Sequence, residues 1–116
     1  MPFENYTIPQ GKIMIAFCDE NLSVGTLELN PGKELSKHNR PCLESLFQIE
    51  GTCVMKLFED DGTVTDVTMN KGDSIDIPAG KFHIHSNPTD KKSITFWKAS
   101  GDIRDIINNI RENSKM

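Results

Sequence analysis

The sequence predicts an all-β domain, a small barrel of short strands closed by one C-terminal helix. Three observations carry this reading. Runs of β-branched and apolar residues recur at short intervals, turn residues separate them, and a 3.6-residue apolar period occurs once, near the end of the chain. Eight glycines and six prolines in 116 residues supply the punctuation. A chain of this length reads as one domain over residues 1–116, large enough to bury roughly two-thirds of its unfolded surface without disulfide staples.

The barrel is expected over residues 12–98. Lys12–Cys18 and Asn21–Leu29 are the first two strands, and Asn30-Pro31-Gly32 ends the second with a turn. Within Lys12–Cys18, strict alternation sends Ile13, Ile15 and Phe17 to one face and Met14, Ala16 and Cys18 to the other. A strand apolar on both faces needs a second cover, either another sheet or a partner subunit, and this makes a homodimer an expectation. Glu44–Ile49 and Thr52–Phe58 flank Glu50-Gly51. Asp60-Asp61-Gly62 connects Thr52–Phe58 to Thr63–Met69 as a hairpin, because Asp-Gly tolerates the positive φ that tight turns need. Ser74–Ile77, Phe82–Ser86 and Ser93–Lys98 complete the set. Ile103, Ile106, Ile107 and Ile110 fall at i, i+3, i+4 and i+7, which predicts a helix over residues 102–113. Ser100 or Asp102 is placed to cap its start, and its stripe is expected to pack on the barrel.

Composition narrows the function. The net charge is −4, and no Lys/Arg stripe exists to attract nucleic acid or an anionic membrane. No apolar run approaches the roughly 18 residues of a membrane span. The first residues lack the basic and apolar regions of a signal peptide. Three cysteines, Cys18, Cys42 and Cys53, form an odd set best kept reduced, so a cytoplasmic location is expected.

The three histidines lie in two short segments. The first runs from Gly32 through His38, Arg40 and Glu44 to Gly51. The second runs from Gly72 through Pro78, Gly80, His83 and His85 to Asn87. Residues two apart on a strand share a face, so His38 and Arg40 can look into one cavity, as can His83 and His85. These segments resemble the two motifs of the cupin family, the RmlC-like double-stranded β-helix. Gly72, Pro78, Gly80, His83 and Asn87 match the second motif without exception. Gly32, His38, Glu44 and Gly51 match the first, with Arg40 where its second histidine belongs. The match spans residues 32–87, about half of the chain.

The resemblance implies a jelly-roll-like barrel in which the two segments face each other across its mouth. It also implies a metal site of His38, Glu44 and His83 for Fe, Mn, Ni or Zn, with no organic cofactor. Arg40 cannot ligate, since a guanidinium has no lone pair to give. It can pair with Glu44, clamp an anionic group of a small-molecule ligand, or replace the charge of a cation that has been lost. His85 can be a replacement ligand, a general acid/base or a pocket wall. Gln48 and Cys42 share the parity of Glu44, and Trp97 is either core or a stacking face. The resulting expectation is a metal-dependent enzyme on a compact polar, anionic substrate, of isomerase or dioxygenase class, with Arg40 fixing the substrate and His85 moving a proton. The alternatives are a metal-free module binding a sugar or carboxylate, and a barrel kept for subunit assembly.

Overall fold

The computed structural model describes residues 3–114, so residues 1–2 and 115–116 of the expected domain lie outside the described residues. Nine strands and one helix follow one another: β1 Glu4–Ile8, β2 Gly11–Cys18, β3 Ser23–Leu29, β4 Leu43–Glu50, β5 Cys53–Phe58, β6 Val64–Met69, β7 Ser74–Ile77, β8 His83–Ser86, β9 Ser93–Ser100 and α1 Arg104–Asn113. Six strands form one sheet in the order β1-β2-β3-β9-β4-β7, and three form a second in the order β6-β5-β8. Every pairing is antiparallel. The barrel expected from the sequence thus takes the form of two facing sheets.

Alternation decides what lies between the sheets. On β3, Ser23, Gly25, Leu27 and Leu29 are buried while Val24, Thr26 and Glu28 are less so. On β9 the buried set is Ser93, Thr95, Trp97 and Ala99. Leu46 of β4, Met55 of β5, Met69 of β6 and Ile77 of β7 complete the core with them. The inner positions are not all apolar: Glu44 and Gln48 on β4, and His83 and His85 on β8, are also buried. That polar cluster on an otherwise apolar inner face is the candidate site.

Three readings need correction. β1 was missed: only Tyr6 among its five residues is fully buried, and no turn dipeptide announces the strand. The alternation expected over Lys12–Cys18 breaks between Ile15 and Phe17, where the pairing with β3 shifts register. A bulge adds one residue to one strand and reverses the faces beyond it, so Ile15 is buried while Phe17 is 44% exposed. The helix begins at Arg104 rather than 102, with Ile103 as its cap and no capping side chain on that residue. Ser100 ends β9, whereas Asp102 Oδ1 accepts the Arg104 backbone N–H at 3.1 Å. The isoleucine stripe packs on the core as expected, with Ile103 and Ile107 buried and Ile106 and Ile110 partly so.

Candidate metal centre

The segment before β4 runs antiparallel beside β8 and ties the two histidine-bearing pieces together. Leu35 donates its N–H to the His85 carbonyl at 2.9 Å, and His38 and His83 exchange N–H···O bonds of 3.0 and 2.8 Å. His38 and His83 are therefore direct partners across an isolated bridge. Gly80 donates its N–H to the Arg40 carbonyl at 2.8 Å from a backbone with φ of 80°. That left-handed conformation is costly for a residue bearing a Cβ, and here it fixes the turn that leads into β8. Glu44 reaches the same point from β4, held between Ile77 of β7 and Ala99 of β9.

The rings converge. His38 and His83 centroids are 4.4 Å apart in an edge arrangement, and His85 lies 5.2 Å from each, nearly parallel to His38 at 14°. One ligand atom from each of the three histidines lies within 4.8 Å of the others. Glu44 Oε1 stands 3.2 Å from His83 Nε2 and 3.7 Å from His85 Nε2. Two atoms that share an ion about 2.1 Å away are at most about 4.2 Å apart, so the glutamate contacts already fit and the histidine triangle is close to fitting.

Protonation of the rings makes the case for a cation. His38 Nδ1 is 2.8 Å from the Ser36 carbonyl and His83 Nδ1 is 2.9 Å from the Lys81 carbonyl. A carbonyl oxygen only accepts, so each Nδ1 carries the proton and each Nε2 is left with a lone pair. This is the outer-shell bond that orients metal-ligating imidazoles. His38 Nε2, His83 Nε2 and Glu44 Oε1 are then buried without a hydrogen-bond partner among the described residues. Lone pairs facing one another at 3.2 Å repel unless positive charge lies between them. The donor set fits a divalent transition metal.

Electrostatics keep the donors in their ligating forms. Burial, the Arg40 charge and the neighbouring His85 push His38 down to about 3, so its ring is neutral near pH 7. Burial raises the Glu44 carboxyl, and a proton or cation shared between it and the imidazoles of His83 and His85 outweighs that and holds it below the usual carboxylate range.

Arg40 does not form the ion pair with Glu44 that the sequence allowed. Its Nη1 donates to the Asn39 carbonyl at 3.2 Å, and no carboxylate of the described residues lies within 4.0 Å of the guanidinium. Arg40 lines the same cavity as His38, Glu44 and His85, which measures about 50 Å³. The other lining residues, Trp97 among them, are apolar, so the expected compact polar pocket is polar only in part. Gln48 is not free for a ligand: its amide donates to Ser93 Oγ and the Glu50 carbonyl and accepts from Thr95 Oγ1 at 2.7 Å. Cys42 stands outside the histidine cluster, against Gly101. Asn87 staples loops by donating to the carbonyls of Leu29, Asn30 and Lys91. Among the described residues, no helix is long and apolar enough to cross a membrane.

No protein-family model matches the sequence, and no curated protein matches it. Solved structures do match. A variant of the Bacillus subtilis oxalate decarboxylase superposes with a TM-score of 0.77 at 17% identity, covering 85% of this chain and 27% of that one. The capsular polysaccharide assembling protein CapF from Staphylococcus aureus gives 0.76 at 16%, covering 86% and 31%. An oxalate oxidase gives 0.66 at 15%, covering 70% and 42%. The chain thus spans less than half the length of each. At these identities the likeness shows the fold, which is the cupin double-stranded β-helix.

Proposed function

We propose that this protein is a mononuclear metal enzyme acting on a small organic anion, with His38, Glu44, His83 and His85 as the ligand set and Arg40 as the anion clamp. The observation that carries the reading is the set of buried, unpartnered atoms, Nε2 of His38 and His83 and Oε1 of Glu44, pointed at one another beside a third imidazole. His85 takes the place of the motif histidine that Arg40 displaced: it restores a third nitrogen donor from β8. A bound Fe, Mn, Ni or Zn ion would polarise a coordinated ligand oxygen as a Lewis acid and leave positions open for that ligand.

The chain's own residues do the rest. The Ser36 and Lys81 carbonyls hold the imidazole tautomers, and Arg40, unpaired with any acid of the described residues, receives a carboxylate or phosphate by charge-assisted hydrogen bonds. A small carboxylate is favoured, and the names of oxalate decarboxylase and oxalate oxidase add support for that class of substrate. The reaction class is isomerase or dioxygenase. The chain is further proposed to pair as a homodimer through the outward face of β4, where Leu43, Phe47 and Ile49 are exposed; a light-scattering mass equal to one chain contradicts this.

Elemental analysis of the purified protein, paired with His83→Ala, tests the metal reading. Near-stoichiometric transition metal that disappears in the variant is expected. A metal-free protein that still binds carboxylates through Arg40 overturns the enzyme and favours a small-molecule binding module.

A further inference from the structure

Helix α1 does more than cover the core. Its isoleucines Ile103, Ile106, Ile107 and Ile110 line the cavity that His38, Arg40, Glu44 and His85 open into. Ile13 and Leu27 of the large sheet face them across that space. The cavity therefore has two unlike linings, Arg40 with the ligand cluster and a set of branched aliphatic side chains. Among the described residues, Arg40 is its only lysine or arginine. With no metal bound, a second anionic group on the ligand would lose its water against isoleucine with no cation opposite it, which costs several kcal/mol.

We propose that the ligand is a short aliphatic monocarboxylate, its carboxylate held at Arg40 and its chain laid against α1, and that Ile106 and Ile110 set the chain length accepted. The proposal rests on the reading of this cavity as the substrate site. A volume of about 50 Å³ holds roughly four waters, about 120 Å³ of liquid, which bounds the ligand at an acid of about three to four carbons. Each methylene that finds apolar contact improves binding about fourfold, so affinity climbs from acetate to butyrate and then stops where the isoleucine wall is met. Ile106 and Ile110 are only partly buried, so truncating them opens the cavity with less damage to the core than truncating Ile103 or Ile107.

The single tryptophan of the chain, Trp97, also lines the cavity, and its fluorescence reports occupancy whether or not a metal is bound. Titrations with acetate, propionate, butyrate, hexanoate and oxalate are run on the purified protein and again after chelation, with metal content measured in both. The expected result is an optimum near butyrate, weaker oxalate after chelation, and an optimum two to three carbons longer in Ile106→Ala and in Ile110→Ala, each checked for folding by circular dichroism. Should Ile106→Ala fail to fold, Ile106→Val gives a smaller shift in the same direction. Oxalate binding as tightly as butyrate after chelation, or a chain-length profile that neither isoleucine variant moves with the metal in place, overturns the proposal. A shifted profile in protein that holds no metal as purified, before any chelation, sinks the metal reading and leaves the ligand class standing.

Discussion

His38 and His83 exchange two backbone hydrogen bonds of 3.0 and 2.8 Å, so that residues far apart in sequence leave one rung of a sheet side by side. Their rings consequently sit 4.4 Å apart, with each Nδ1 tied to a carbonyl two residues earlier in its own segment. The main chain thus positions both imidazoles, and the side chains have little freedom left to lose when a ligand or ion arrives.

Acidification should destabilise the chelated protein. His38 is pushed down to about 3 from the 6.5 of the unfolded chain. Between those values the unfolded state binds a proton that the folded state does not, so stability is full above pH 6.5 and falls as pH drops toward 3. The lowered Glu44 adds to the loss below its unfolded value of 4.5. The expected slope is about 1.4 kcal/mol per pH unit for each proton taken up. Urea unfolding at a series of pH values measures it, and His38→Asn should flatten the part above pH 4.5.

Gln48→Leu should destabilise the fold and spare the centre. The change leaves the buried Ser93 and Thr95 hydroxyls without their partner, a loss of about 1–3 kcal/mol. Denaturant midpoints check the stability, and metal content should be unchanged. Loss of metal in this variant would place Gln48 in the site.

Arg40→Gln should weaken carboxylate binding by about 2 kcal/mol, or some thirtyfold, as expected for a lost hydrogen bond to a charged group. Metal content should be retained, because Arg40 donates no lone pair and its removal takes a positive charge away from the cluster. Calorimetric titration with butyrate separates the two effects. Unaltered butyrate affinity would remove Arg40 from the ligand's path.

Much of this arrangement was legible in the sequence. The two-residue parity of His83 and His85 places both on the inner face of β8, and the spacing of glycines, Pro78 and Asn87 gives the motif that the fold agrees with. The positive φ of 68° at Gly51 shows why that position is glycine: a Cβ there would also collide with the Lys92 carbonyl. Other features depend on partners that a local pattern does not reveal. The bulge after Ile15 reverses Phe17, and no residue type in Lys12–Cys18 marks it. Gln48 is consumed by Ser93 and Thr95 on a neighbouring strand, which parity with Glu44 cannot foretell. Arg40 could pair with Glu44 by spacing alone, but its guanidinium turns to the Asn39 carbonyl instead while its carbonyl is tied to Gly80. The isoleucine period announced a packed helix, and only the tertiary fold brings that face over the histidines.

The shared centre of His38, Glu44, His83 and His85 is tested most directly by the X-ray absorption spectrum of the metal carried by the purified protein. Three imidazole scatterers with an oxygen donor are predicted, falling to two imidazoles in His85→Ala. A shell of oxygen donors without imidazole scattering would contradict the account.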